Sequence, residues 1–453
     1  MAISLERVHP PLPYLPPQYD PKVLRFMQVT SPYWLYWKSR ISHVEEHHLE
    51  RMVQSQLEAD LGKIKCLYAF RHPTTDDHFS LLHLFGKSLP KTARQMGVKL
   101  NMPTHSFFVY DRGIPLWAGG VVNWLFPRLG GIPVFRGKAD RQGMKLMREH
   151  LVHGKLPLSI APEGGTNGQS ELVADLEPGV VQLGFWSAED LAKAGRPERV
   201  VIVPIGIQYE YTTHAWQHID RLLLSIEQDC GIHKPRPLPS DRYQRLYDLG
   251  IFLVNWVAEY YQKFYPNYAV SVDSSWDLRQ RLEGICDSIL RVAESHFGTE
   301  GKGTIVDRCR RLEQAVWDQV FRHDLDLSKI SNLELGFANQ LAKEANASMW
   351  HMRIAESILP ITGTYVREHP SPSRFAEMLL LIWRAMCRVK LIPFGKTAYL
   401  GNRKLILSAG EPICVSDQLA IYQSSRQQAK ECVNQITQQL KQALTDLIIP
   451  SAL

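Results

Sequence analysis

The chain has 453 residues, 45 % of them hydrophobic and 22 % charged, a balance that excludes a disordered or low-complexity protein and leaves room for two or three domains around a large core. The formal net charge of +6 is too small to point to nucleic acid and suits an anionic membrane surface or a phosphorylated substrate. The seven cysteines are scattered singly with no Cys-x-x-Cys pair, which fits a reducing compartment and argues against a zinc site.

Residues 1–7 lack the basic-then-apolar layout of a secretory leader. Residues 9–21 are rich in proline and read as a stiff extended arm. Tyr33-Trp34-Leu35-Tyr36-Trp37-Lys38-Ser39-Arg40 follows, a mix of aromatic and basic residues suited to a membrane interface. The same stretch also suits a helix packed on the domain. No charge-free apolar run reaches the length of a clear membrane-spanning helix; the nearest, residues 113–135, is broken by Arg128 and reads as a helix and strand of the core.

Leu49, Met52, Val53 and Leu57 predict a helix over 45–62, before a buried strand over 64–70. The next residues, His72-Pro73-Thr74-Thr75-Asp76-Asp77, form a strand-to-helix turn, with a helix expected over 79–96. A histidine on such a turn can act as a general base near neutral pH, and a carboxylate one turn away can fix its tautomer. Asp76 or Asp77 is equally suited to capping the helix that follows. Further strands are predicted near 104–110, 132–135, 156–161 and 199–207. They alternate with helices near 116–125, 138–153 and from 179, so residues 45–235 read as an α/β unit.

After a Pro-rich linker at 235–239 the pattern becomes almost purely helical, with helices near 241–265, 276–297, 304–322, 333–358 and 374–390. This block reads as a helical insertion, acting as a lid or docking surface, or as a second helical domain. A strand at 403–408 and a helix over 424–447 close the chain. Arg221-Leu222-Leu223-Leu224-Ser225 echoes Arg403-Lys404-Leu405-Ile406-Leu407-Ser408, as two strands of one sheet would. The organisation expected is therefore an arm and interfacial segment (1–44), an α/β core (45–235), a helical block (236–400) and a closing strand and helix (401–453).

Four blocks in this order resemble the glycerolipid acyltransferases, the family of 1-acylglycerol-3-phosphate acyltransferase. His72-Pro73-Thr74-Thr75-Asp76-Asp77 resembles that family's His-x4-Asp block. Gly130-Gly131-Ile132-Pro133-Val134-Phe135-Arg136 resembles its second block, Pro162-Glu163-Gly164-Gly165-Thr166 its Pro-Glu-Gly-Thr-Arg block, and Val203-Pro204-Ile205 its fourth. Gly410-Glu411-Pro412-Ile413 is similar to a turn near the end of that domain. The sequence departs from the family in having Arg71 where Asn usually precedes the histidine, an extra glycine in the third block, and Asn167 where a basic residue is common.

The resemblance implies an α/β fold with a mixed sheet flanked by helices, here carrying a large all-α insertion. It implies transfer of a fatty acyl group from acyl-CoA or acyl carrier protein to a lysophosphatidate or glycerol-phosphate-type hydroxyl, with a non-phosphorylated lipid alcohol as the alternative acceptor. His72 becomes the base and Asp77 its orienting carboxylate. Arg136 becomes a phosphate contact, for which a surface ion pair is the alternative, and Arg71 adds charge beside the base. Glu163, Gly164, Gly165 and Thr166 border the acceptor, although Glu163 and Thr166 also suit a helix cap. No metal or redox cofactor and no nucleic-acid partner is implied; a peripheral place on the cytoplasmic face of a membrane is.

Overall fold

The computed structural model describes residues 4–135, 140–232, 242–270, 276–392 and 398–452. Arg136 and the linker at 235–239 lie outside the described residues. The strands are β1 (Ile41–His47), β2 (Ile64–Phe70), β3 (Phe107–Asp111), β4 (Gly131–Val134), β5 (Leu158–Ile160), β6 (Arg199–Tyr211), β7 (Arg403–Ala409) and β8 (Ile413–Cys414). The helices of the first half are α1 (Pro21–Trp37), α2 (Leu49–Asp60), α3 (Asp77–His83), α4 (Leu89–Gln95), α5 (Ile114–Ala118), α6 (Val121–Arg128), α7 (Arg141–His153) and α8 (Gly179–Lys193). A π-helical turn, Leu84–Ser88, joins α3 to α4. The later helices are α9 (Trp216–Asp229), α10 (Arg242–Phe264), α11 (Leu278–Phe297), α12 (Ile305–Val320), α13 (Asn332–Ile358), α14 (Tyr365–Glu368), α15 (Pro372–Val389), α16 (Leu419–Tyr422) and α17 (Arg426–Asp446).

The strands form one eight-stranded mixed sheet in the order β1-β7-β6-β2-β5-β3-β4, with β8 on β6. Parallel pairing runs through β6, β2, β5, β3 and β4, while β7 lies antiparallel to β6 and parallel to β1. Side chains alternate between two apolar layers, as the two-residue period of a strand requires. From β2, Cys66, Tyr68 and Phe70 face the layer holding α2 and α4, with Val201, Val203, Ile205, Ile207 and Tyr209 of β6 beside them. Leu67 and Ala69 face the opposite layer, with Val200 and Ile202, against α7, α8 and α17. The sheet is thus buried on both faces.

Helices α9 to α13 and α15 share a third core of their own, containing Leu249, Ile289, Leu312, Ala342 and Leu379. Three of them start with a reciprocal cap, at Asp277–Gln280, Thr304–Asp307 and Ser331–Glu334, which satisfies the orphan amides of their first turns. The helical block leaves the sheet after β6 and the chain returns to it at β7, so strands from both ends of the block are hydrogen-bonded neighbours.

Two expectations are corrected. The helix predicted over 45–62 begins only at Leu49, because residues 41–47 pair with β7 as an edge strand. The echo at 221–225 is not a strand: it lies in α9, with Leu223 turned into the helical core. Three consecutive leucines fit a helix as well as a strand when their partners are helical.

Candidate functional site

β2 ends at Phe70, and the next residues bend over the carboxyl end of the sheet. The Arg71 amide donates to the Ile205 carbonyl at 2.9 Å, continuing the pairing with β6 one residue beyond the strand. His72 follows. With its proton placed on Nδ1, it donates to Asp77 Oδ2 at 2.7 Å. Asp77 is fully buried, whereas the His72 side chain keeps 29 % of its surface exposed. The pairing therefore leaves Nε2 as the free ring nitrogen on a partly open edge.

Asp77 is held from three sides. Its Oδ2 also accepts from the Thr74 amide at 3.1 Å, and its Oδ1 from the Thr74 hydroxyl at 3.3 Å. The phenol of Tyr209 donates to Oδ1 at 2.5 Å, and Ser80 Oγ lies 2.8 Å from that phenol. Tyr209 reaches this position because β6 runs on past the end of β2: Phe70 pairs with Ile205, and the residues beyond pair with β7 alone. Burial and the Asp77 charge push the Tyr209 phenol far above its ordinary pKa, so it stays a donor. Neither aspartate caps α3 through its side chain: Asp76 is at the cap position without a side-chain bond to the helix, and its carboxylate accepts from Arg403 at 2.6 Å. The Arg403 guanidinium lies over the Tyr209 ring, 4.6 Å from its centroid.

The third block lies against the first. The Glu163 carboxylate is wholly buried and accepts from the His72 amide at 3.0 Å and from Arg71 Nε at 3.1 Å. Its second oxygen accepts from the Ala174 amide at 2.9 Å and Asn167 Nδ2 at 3.3 Å. Arg71, expected beside the acceptor, instead points inward. Its remaining donors go to the carbonyls of Gln169, Ser170 and Leu172.

No helix starts at this block. Residues 161–178 form a long irregular loop before α8, so the cap readings of Glu163 and Thr166 fall. The loop is pinned to itself and to the His72 turn. Gly168 N donates to the Pro73 carbonyl at 3.0 Å, and Glu177 N to the Pro162 carbonyl at 2.8 Å. Gly164 has φ +67°, so a side chain there would be strained, and its Cβ, 1.8 Å from Glu177 Oε1, would displace the Glu177 carboxylate. Gly165 is half-buried and Thr166 exposed on the same loop.

The helical block touches this loop directly. Glu377 of α15 accepts from Ser170 N at 2.9 Å and from the Tyr365 phenol at 2.6 Å, and burial pushes the Glu377 carboxyl up to about 7. Arg310 of α12 pairs with Glu177. Tyr209, Arg403 and Glu377 carry no local motif; their only sequence signal is a strand longer than its neighbour requires and a polar residue on an apolar helix face.

The structure thus brings His72, Asp77, Arg71, Glu163 and Gly164 to one end of the sheet. Among the described residues no group of three or more histidines, cysteines or carboxylates is placed to hold a metal ion. A surface hollow of about 650 Å³, lined by Pro10 and residues 323–328, shares no residue with this site. No protein-family model matches the chain, and no curated protein matches it.

Proposed function

We propose that the protein is an O-acyltransferase of the glycerolipid type, using His72 as general base on a lipid hydroxyl and an acyl thioester as donor. The observation that carries this reading is the contact of a partly exposed His72 with a wholly buried Asp77 at 2.7 Å, at the carboxyl end of a sheet strand. We take the mixed sheet and its helical layers as that family's fold.

His72 Nε2 takes the hydroxyl proton as the oxygen attacks the thioester carbonyl. Asp77 stabilises the imidazolium that results, and Tyr209 and Thr74 hold its carboxylate in place. The tetrahedral intermediate then collapses, the C–S bond breaks, and the thiolate recovers the proton from His72. Every atom of the acyl group ends on the acceptor oxygen, with the free thiol as second product; as written, the step uses no metal or redox group. The donor is acyl-CoA or acyl carrier protein, and the acceptor a lysophosphatidate or glycerol-phosphate-type alcohol. Incubation with labelled acyl thioesters and a panel of lipid alcohols tests this reading, and label on none of the hydroxyls would refute it.

Tyr209→Phe removes one charge-assisted hydrogen bond from Asp77 while leaving the ring packed. The expected outcome is a fall in kcat of about tenfold or more, with acceptor KM nearly unchanged. A loss confined to KM would remove Tyr209 from this role.

We further propose that α1 rests on a lipid surface at the cytoplasmic face of a membrane. Leu24, Met27 and Leu35 of α1 face the protein, whereas Phe26, Tyr33 and Trp37 are each more than 60 % exposed, and Trp124 of α6 is exposed as well. Trp34 stacks on Phe79, 6.1 Å between centroids, so this face adjoins the His72 turn. Among the described residues no helix is long and apolar enough to cross a membrane. Binding to vesicles containing phosphatidylglycerol should exceed binding to neutral ones and weaken with salt. The double change Tyr33→Ala and Trp37→Ala should lower partitioning by about tenfold or more; unchanged partitioning would place the lipid contact elsewhere.

A further inference from the structure

One face of α15 can be followed residue by residue towards the His72 turn. Ser373 Oγ accepts from the Tyr211 amide of β6 at 2.9 Å. One turn on, Glu377 holds Ser170 of the loop. One turn further, Leu381 packs against Gly168, so closely that a Cβ there would lie 2.7 Å from Leu381 Cδ2. Gly168 is itself bonded to Pro73, the residue after His72. The next position on this face, three residues beyond Leu381, is Arg384.

Arg384 is half-buried, and no hydrogen bond or ion pair joins it to a described residue. It lies within electrostatic reach of Tyr211, Arg403 and Asp76, and burial pulls its pKa below the ordinary guanidinium value. A half-buried guanidinium with no partner among the described residues keeps its donors available to an anionic ligand. Arg403, by contrast, is paired: it donates to Asp76 at 2.6 Å and to the Ser39 carbonyl at 2.7 Å. Asp76, the neighbour of Asp77 in the chain, is thus within electrostatic reach of two guanidinium groups and hydrogen-bonded to one of them, Arg403.

We propose that Arg384 of the helical block, backed by Arg403, is the binding site for a phosphate monoester of the substrate. It rests on the acyltransfer reading only for which molecule carries the phosphate. A planar fork with free donors suits a phosphate bidentately. The phosphate has two sources in that chemistry, the acceptor's glycerol phosphate and the 3′-phosphate of CoA. The helical block thereby contributes a specificity group to a site whose base lies on the sheet, and Arg384 recognises the substrate without taking part in proton transfer.

The test is direct binding to the full chain, which needs no turnover and so stands apart from the acyltransfer reading. Short-chain lysophosphatidate is titrated beside the matching monoacylglycerol, and CoA beside dephospho-CoA, on wild type, Arg384→Ala and Arg384→Lys. Arg384→Ala should weaken one phosphorylated ligand by roughly ten- to hundred-fold and leave its phosphate-free partner unchanged; the ligand affected names the source. Arg384→Lys should recover part of the loss. Where lysophosphatidate is the ligand affected, glycerol 3-phosphate, as a probe, should raise the melting temperature of wild type and not of Arg384→Ala. Without ligand, Arg384→Ala should melt no lower than wild type, since it removes no hydrogen bond or ion pair to a described residue. Equal affinity of both proteins for both phosphorylated ligands overturns the proposal. So does a large loss of melting temperature in Arg384→Ala without ligand, reproduced in Arg384→Gln, which would mark the arginine as structural.

Discussion

Replacing His72 by alanine is expected to lower kcat by about 10²–10⁴-fold, the range that general-base catalysis supplies. Acceptor and donor KM should hardly move, because the imidazole acts on a proton in flight and contributes little to ground-state binding. His72 is partly exposed and its backbone amide would remain on Glu163 in the variant, so the fold should hold. Equal melting curves for the two proteins would separate lost chemistry from lost structure. Asp77→Asn should also lower kcat, since the amide removes the charge that stabilises the imidazolium and fixes its tautomer. Steady-state kinetics at saturating substrate decides the matter: near-normal kcat in His72→Ala would leave the proposed base without a role.

The second large effect is on stability. Arg71 and Glu163 are an ion pair with side-chain exposures of 2 % and 0 %. Glu163→Ala leaves the guanidinium buried with carbonyl partners alone and strips acceptors from the amides of His72 and Ala174. Breaking a buried pair in this way destabilises by about 3–5 kcal/mol. Glu163→Gln should recover a fraction, because the amide oxygen still accepts but the charge is gone. Combining Glu163→Gln with Arg71→Met should be less damaging than the sum of the two, since neither charge is then left alone. Denaturant unfolding monitored by tryptophan fluorescence gives the number. A loss below about 1 kcal/mol, the range of exposed pairs, would show that water reaches the pair and that the loop is not anchored as described.

What could be read from the sequence follows the range of the interactions involved. β2 and β6 carry long apolar runs, Cys66 to Phe70 and Val200 to Ile207, because the sheet is covered on both faces there, and so they are legible from composition alone. The helices of the second half show their apolar stripes for the same local reason. β1 is different. Ile41-Ser42-His43-Val44-Glu45-Glu46-His47 is an edge strand, mostly polar, and its partner β7 is remote in the chain, so pairing rather than pattern makes it a strand.

The His72–Asp77 contact was legible because both residues lie on one turn. The surroundings of that contact were not. Nothing near Arg71 in the chain indicates that its guanidinium would turn under the 161–178 loop and meet Glu163. Nothing near Tyr209 ties it to Asp77; the link exists because β6 outruns β2. Glu377 belongs to a helical block without any of the four blocks of the first half, and only the packing of α15 against the loop brings it beside the site.

The most direct measurement follows the acyl carbon itself. The protein is mixed with a thioester labelled in the acyl carbonyl and with lysophosphatidate, then quenched across the first turnover while lipid ester, free thiol and protein-bound label are counted. The account predicts labelled ester and thiol appearing together in equal amounts, no label on the protein at any time, and loss of the signal in His72→Ala. Label accumulating on the protein before the lipid, or label reaching no hydroxyl with either CoA or acyl carrier protein as donor, would contradict it.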